Sequence, residues 1–310
     1  MNYPRIGLAS LVIAAPISVQ AQTVADAPVA DDGPAVGVDL FHSSDADKTE
    51  VTRLGLDFDL SNSGPDQYRG IRLEKARYNP VGQGWKDRTR VFLRAADSIA
   101  DHKWSLNVGT DGGSVVGSAS IHDEAKFRKE FFVERDLLET PIGLRRGLYY
   151  TFAGAAFDVP VDDRNVFTTM IGVQPFTGDN VRFHMRASYI HVLEPELGLS
   201  AQLRTRYFNN SVPREFDYYS PRWYAQVLPV LQIRRFMPDG WRYLAAVGVG
   251  VQRDNVSGWR RSSLFNLQAT SPERDRWAFT TNFLYSETPT TAGTSYRYGQ
   301  VNVGLRRAFS

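Results

Sequence analysis

Cysteine is absent from the 310-residue chain, so disulfides and thiolate metal sites are excluded. An excess of charge of one sign is also lacking, because 36 basic and 34 acidic residues nearly cancel. Nucleic acid, which requires a concentrated basic surface, is therefore not an expected partner. Lysine is scarce, and every basic residue after Lys129 is arginine. Arginine binds carboxylates through two hydrogen bonds and stacks on rings, although a compositional bias of the genome explains the same skew.

Long apolar runs are missing from the body of the chain, where the best stretch, 243–251, contains two glycines. Near the start, Arg5 precedes an apolar stretch at 6–19 that is shorter than the ~20 residues of a membrane-spanning helix. This pattern predicts a signal peptide over 1–21, cleaved after Ala21; a retained anchor is the alternative. Residues 22–35 are small, polar and proline-containing, and are predicted to form a disordered leader. Residues 36–310 then form one domain.

What the chain does contain is a period-two alternation of apolar and polar residues, typical of strands with one apolar face. In 181–191, for example, Val181, Phe183 and Met185 share one face. Such segments lie at 36–42, 51–60, 68–78, 88–97, 102–110, 114–121, 125–134, 148–158, 165–174, 181–191, 197–207, 219–234, 241–253, 262–270, 275–286 and 296–309. Residues 137–147 lack the alternation and are predicted to form a short helix or a loop.

Without a membrane helix, such a chain can enter a membrane only as a closed barrel, because lipid tolerates no open sheet edge. The segments number sixteen, and single-chain bacterial barrels have an even number of strands. The last segment alternates up to Phe309, although Arg307 interrupts its apolar face. The sequence therefore predicts an all-β fold, a transmembrane antiparallel up-and-down β-barrel of 16 strands in the bacterial outer membrane.

Motifs of catalysis, metal binding and nucleotide binding are missing. The five histidines form no metal-ligand pattern, and neither GxSxG nor a P-loop occurs. We therefore expect no catalytic residue, no metal and no cofactor. A barrel enzyme acting on lipid stays open as an alternative, because a serine and a histidine could meet across strands.

The polar faces supply the candidate lumen residues. Two consecutive segments carry a predicted basic patch of Arg182, Arg186, Arg204 and Arg206, and the further lumen candidates His184 and Gln202 lie on the same polar faces. Asp57 and Asp59 provide acidic groups on an earlier segment. Opposed patches of this kind would set up a field across the pore that orients polar solutes. Alternatively, the charges only hydrate the lumen and pair with one another. His184, on the polar face between Arg182 and Arg186, is expected to be a solvated lumen residue.

An aromatic stretch carries a resemblance. Tyr218-Tyr219-Ser220-Pro221-Arg222-Trp223-Tyr224, followed by Val227-Leu228-Pro229-Val230 and a glycine-interrupted strand at 240–250, is similar to the C-terminal barrels of exopolysaccharide exporters. These exporters include the outer-membrane component of cellulose synthesis operons and the poly-N-acetylglucosamine export porin. The resemblance covers residues 207–309 and implies passive export of a polysaccharide chain through a hydrated lumen, within outer-membrane lipid.

The exporters carry a long periplasmic region before the barrel, and this chain has only 22–35 there. The resemblance thus implies a separate periplasmic scaffold protein and an inner-membrane synthase as partners. Tyr218, Tyr219, Trp223 and Tyr224 are expected at the rim, where anchoring in lipid headgroups is favoured over stacking on sugars. A general porin and a surface-binding barrel are the alternative functions.

Overall fold

The computed structural model describes residues 33–45, 48–272, 277–287 and 297–309. The predicted signal peptide and most of the leader lie outside them. The first strand begins at Gly33, so the last three leader residues belong to the barrel. The strands and the helix of the described residues are β1 (Gly33–Asp45), β2 (Glu50–Gly64), β3 (Gln67–Asn79), β4 (Lys86–Ile99), β5 (His102–Thr110), β6 (Val115–Asp123), β7 (Arg128–Leu137), α1 (Pro141–Arg146), β8 (Tyr149–Pro160), β9 (Asn165–Pro175), β10 (Val181–Glu194), β11 (Leu199–Asn210), β12 (Trp223–Phe236), β13 (Arg242–Asp254), β14 (Arg260–Thr270), β15 (Trp277–Ser286) and β16 (Tyr298–Ala308).

These strands close into one antiparallel barrel in which each strand pairs with its neighbours along the chain. The first and last strands close the circle, with Val38 opposite Leu305. Closure leaves no unpaired strand edge, which is the condition for a sheet in lipid. The prediction of an all-β, 16-stranded up-and-down barrel is confirmed. No helix in the described part of the chain could traverse a bilayer.

The outer face is apolar in its middle and charged towards its ends. Large side chains such as Val247, which is 52% exposed, project from it on almost every strand. Arg77 pairs with Asp87 on this face, at 3.2 Å, near one end of the strands. At the other end Arg307 lies over the rings of Trp277 and Phe309, so the residue that interrupts the final apolar face sits at the boundary of the band. An exposed apolar belt of this kind is the surface that lipid covers.

The two rims differ in the length of their connections. The rim at which β1 begins and β16 ends has short turns, such as 65–66 and 100–101. The opposite rim carries the long connections 138–148 and 211–222. Outer-membrane barrels place short turns on the periplasmic side and long loops outside. The start of β1 and the end of β16 therefore mark the periplasmic rim.

The connection 138–148, called here the inward loop, contains helix α1 and folds into the barrel. Thr140 caps the helix, because its hydroxyl accepts the Gly143 N–H at 2.9 Å, and Pro141 follows as the first helical residue. Gly147 ends the helix with φ 68°, a conformation that favours glycine. Leu144 packs inside the barrel against a buried cluster that includes Val51. The prediction of a short helix or loop at 137–147 is confirmed.

Candidate functional site in the barrel lumen

The inner wall formed by β1–β4 carries a chain of ion pairs, called here the ion-pair sector. Arg90 bridges Glu74, at 3.0 Å, and Asp136, at 2.8 Å. Arg72 bridges Glu74, at 3.1 Å, and Asp57, at 3.0 Å. Each guanidinium thus has carboxylate partners on both sides, and buried charges are tolerated when they are paired in this way.

The same chain extends to both sides along the wall. Arg53 pairs with Glu139 of the inward loop. At the other end Asp59 is the partner of Arg94 and of Arg306, each at 3.4 Å. Asp57 and Asp59 therefore lie on the inner face, as expected, but they are not a free acidic patch. On this wall the acidic and basic side chains pair with one another. The wall therefore does not provide the acidic patch that the expected field across the pore would need.

The opposite wall, on β10–β12, holds the basic sector, defined as Arg186, Arg204, Arg206 and Arg234. Arg186 and Arg206 are direct cross-strand partners. Arg204 donates to the side-chain oxygens of Gln202, at 2.9 Å, and Gln232, at 3.2 Å. None of the ion pairs of the described residues involves Arg204 or Arg234. Sequence reasoning brought together three of these arginines with Gln202, and missed Arg234.

Arg182 and His184 share the inner face but are not lumen groups in contact with solvent. Arg182 is 1% exposed and lies between the rings of Phe176, at 5.0 Å, and Phe208, at 4.6 Å. His184 is buried and hydrogen-bonds to Gln174 at 2.9 Å. The expectation that His184 is solvated is therefore wrong. Arg182 is buried too, so it does not belong to a basic patch that faces the lumen. Arg182 also binds the Tyr219 carbonyl, which belongs to the long connection 211–222 above it.

This connection, called here the tyrosine loop, turns most of the predicted rim aromatics inwards. Tyr218 is buried, stacks on Phe176 at 4.4 Å and donates to Glu215 at 3.0 Å. Burial raises the pKa of the Tyr218 hydroxyl further above neutral pH, at which this hydroxyl is a donor. The Tyr219 hydroxyl donates to Asp254 at 2.5 Å.

Tyr224 continues this inward set on β12, because its hydroxyl donates to Gln252 at 2.8 Å. Trp223 lies on the other face of the strand, near the guanidinium of Arg253 at 5.9 Å. Anchoring in headgroups therefore suits only Trp223, and for Tyr218, Tyr219 and Tyr224 that interpretation is wrong.

The tyrosine loop also holds the inward loop. Asp217 accepts the Thr140 hydroxyl at 2.7 Å and the Ile142 backbone N–H at 2.6 Å. Together with the pairing of Arg53 and Glu139, these bonds fix the inward loop in front of the ion-pair sector. The sequence analysis did not predict this contact between the two loops, which is called here the clasp. Several residues of 137–144 are apolar although this segment connects two strands. That was the sequence signal that other parts of the protein bury the segment.

A third part of the inner face, on β12–β16, is lined by side-chain amides and is called here the amide sector. Gln268 is opposite Asn282, which is opposite Asn302. The side-chain oxygens of Asn266 and Asn282 are buried and have no hydrogen-bond partner among the residues that the structure describes. Such amides can both donate to and accept from hydroxyl groups. The polar residues of the last three alternating segments were the signal for this sector.

A closed, 16-stranded barrel with an apolar belt outside and a polar lumen inside is an outer-membrane β-barrel, and the bacterial outer membrane is its location. Its architecture is that of porin-like conduits.

No protein-family model and no curated protein sequence matches the chain. Among solved structures, it is similar to a "bacterial polysaccharide outer membrane secretin", with 10% identity, a TM-score of 0.67, and coverage of 90% of this chain and 99% of that chain. It also matches OccK5 (OpdH) of Pseudomonas aeruginosa, with 9% identity, a TM-score of 0.43, and coverage of 91% and 99%. An anion-selective porin from Comamonas acidovorans has 13% identity, a TM-score of 0.39, and coverage of 89% and 98%. At these identities the likeness is one of fold.

Proposed function

We propose that the protein is a passive outer-membrane conduit for an exopolysaccharide. The observation that carries the proposal is the inner face of β10–β16, where guanidinium and amide groups follow one another on neighbouring strands. Sugars present hydroxyl groups, for which both groups are hydrogen-bond partners. Many weak contacts of this kind let a polymer enter and still leave, as conduction through a pore requires.

Two further observations support the proposal. The aromatic stretch at 218–224 resembles that of exopolysaccharide exporters, and the fold is similar to that of a protein described as a polysaccharide secretin. The inward loop packs on the ion-pair sector through Leu144 and Glu139, so it occupies the lumen on that side. The polymer then passes along the other side of the lumen, which the amide and basic sectors line.

The partners belong to the same proposal. The barrel supplies no energy of its own, so an inner-membrane synthase drives the polymer and a separate periplasmic scaffold protein guides it. We expect no catalytic activity of the conduit. The buried His184 hydrogen-bonds to Gln174 and not to a serine hydroxyl, which is the pairing that a serine nucleophile needs.

Deletion and complementation in the source bacterium test the proposal. Loss of the protein should reduce extracellular polysaccharide and leave polymer in the periplasm, and the full-length protein should restore secretion. Purified protein should form a channel in planar bilayers whose current is reduced by added oligosaccharide. Normal secretion in the deletion strain would refute export.

A general porin is the second candidate function, because the basic sector would also favour small anions. In that case the deletion strain secretes polymer normally but takes up small anions more slowly. Measuring secretion and uptake in the same strain separates the two functions.

A further inference from the structure

We infer that the exported polymer is an acidic glycan, whose carboxylates follow the basic sector through the lumen. The inference rests on the proposed function and names the chemical class of its substrate. Its starting point is a contrast between two walls of the same barrel. The two walls hold similar numbers of arginines, but the groups that these arginines contact differ.

On the ion-pair sector the arginines meet carboxylates of the protein itself. Arg72 and Arg90 each contact two or more of them within 3.1 Å. On the basic sector, Arg204 has two amide oxygens as its hydrogen-bond partners. Amide oxygens orient a guanidinium but do not neutralise it, so the positive charge stays available for a ligand.

The arginines of the basic sector are also ordered along the barrel axis. Arg234 lies near the periplasmic end of β12. Arg204 stands near the middle of β11, with Arg206 two residues further towards the outer rim on the same face, opposite Arg186. This order forms a stripe of positive charge that begins near the periplasmic mouth, where a polymer enters.

Acidic sugars fit this stripe better than neutral ones, because a guanidinium can bind a carboxylate through two parallel hydrogen bonds. The amides of Gln202 and Gln232, which orient Arg204, are placed beside it for the neighbouring hydroxyls.

Current block in planar bilayers tests the inference with the full-length protein. The probes are galacturonate oligomers, neutral maltose oligomers and cationic glucosamine oligomers of equal length. Wild-type current should be blocked by the galacturonate oligomer at a concentration about tenfold lower than by the neutral one, which corresponds to ~1.4 kcal/mol. The double variant Arg204→Gln/Arg234→Gln should abolish this difference and shift ion selectivity towards cations.

Arg69→Gln/Arg77→Gln is the matched control. It removes two positive charges from the outer face, where both side chains are mostly exposed, and should leave block and selectivity unchanged. Heat-modifiable migration on gels confirms that each variant is folded. Equal block by the galacturonate and neutral oligomers in wild type would overturn the inference and leave the conduit standing. A channel that none of the oligomers blocks would overturn the proposed function as well.

Discussion

Asp217 clasps the two long loops together, and its removal should release the inward loop. Its carboxylate accepts two hydrogen bonds from the start of that loop, at 2.7 Å from the Thr140 hydroxyl and 2.6 Å from the Ile142 N–H. We expect Asp217→Ala to loosen helix α1 without unfolding the barrel, because the strand ladders do not involve this residue.

The magnitude follows from the two bonds. A hydrogen bond to a charged group contributes about 1.5–3 kcal/mol. Asp217 is only half-buried, so the lower value applies and the clasp contributes ~3 kcal/mol in total. Its loss should raise the population of the released loop about a hundredfold, since ~1.4 kcal/mol corresponds to a factor of ten. Asp217→Asn retains one acceptor oxygen and should show about half of the free-energy effect.

Hydrogen exchange at the backbone amides of residues 142–148 measures the released population directly, and single-channel recording shows whether the release of the loop changes the pore. We expect faster exchange there and larger current fluctuations in Asp217→Ala, with Asp217→Asn between this variant and wild type. Asp239→Ala is the control, because Asp239 caps a short turn on the periplasmic rim through the Trp241 N–H. Exchange at wild-type rates in Asp217→Ala would refute the clasp.

Three further predictions address the faces, the ion pairs and a loop carboxylate. Val247→Arg should destabilise the barrel by about 2–4 kcal/mol at the lipid-facing midplane, and Ala246→Ser by ~1 kcal/mol, because Ala246 lies in a buried apolar cluster. Arg72→Gln should cost about 3 kcal/mol, the lower end for breaking a buried ion pair, because Glu74 and Asp57 keep Arg90 and Arg94 as partners. Burial would raise the pKa of Asp111, but N–H donors of its own turn hold this pKa below the usual range. Its stabilisation should be complete above about pH 4 and disappear as the pH falls through the lowered pKa, so Asp111→Asn should be less stable than wild type only above this transition.

Urea unfolding of the protein in lipid vesicles, followed by gel migration, measures all three. Arg77→Gln is the control for Arg72→Gln, because Arg77 belongs to the same strand but is exposed, and exposed pairs contribute ~1 kcal/mol at most. Equal costs for Val247→Arg and Ala246→Arg would mean that the faces are wrongly assigned. For Asp111, a stability difference that persists unchanged in acid would contradict the assigned pKa.

The strands and their faces were readable from the sequence. The segment 181–191 became β10 (Val181–Glu194), with Val181 outside and Arg182 inside, as the alternation predicted. Strand geometry makes this possible, because side chains point to opposite faces at every step and the pattern is therefore local. The number of strands followed in the same way, since each segment is bounded by turn residues.

What a residue does inside the barrel was decided by the tertiary structure. Arg182 and Arg204 are the same residue type on the same inner face of adjacent strands, yet Arg182 is enclosed by aromatic rings under the tyrosine loop and Arg204 is only partly covered. Asp57 is neutralised by Arg72, fifteen positions away, and Asp217 reaches Thr140 across 77. Contacts over such separations depend on how loops fold into the lumen, and no local periodicity encodes them. The sequence by itself therefore determined the barrel and the face to which the alternating side chains of its strands point, whereas only the folded loops decided which polar side chains remain accessible in the lumen.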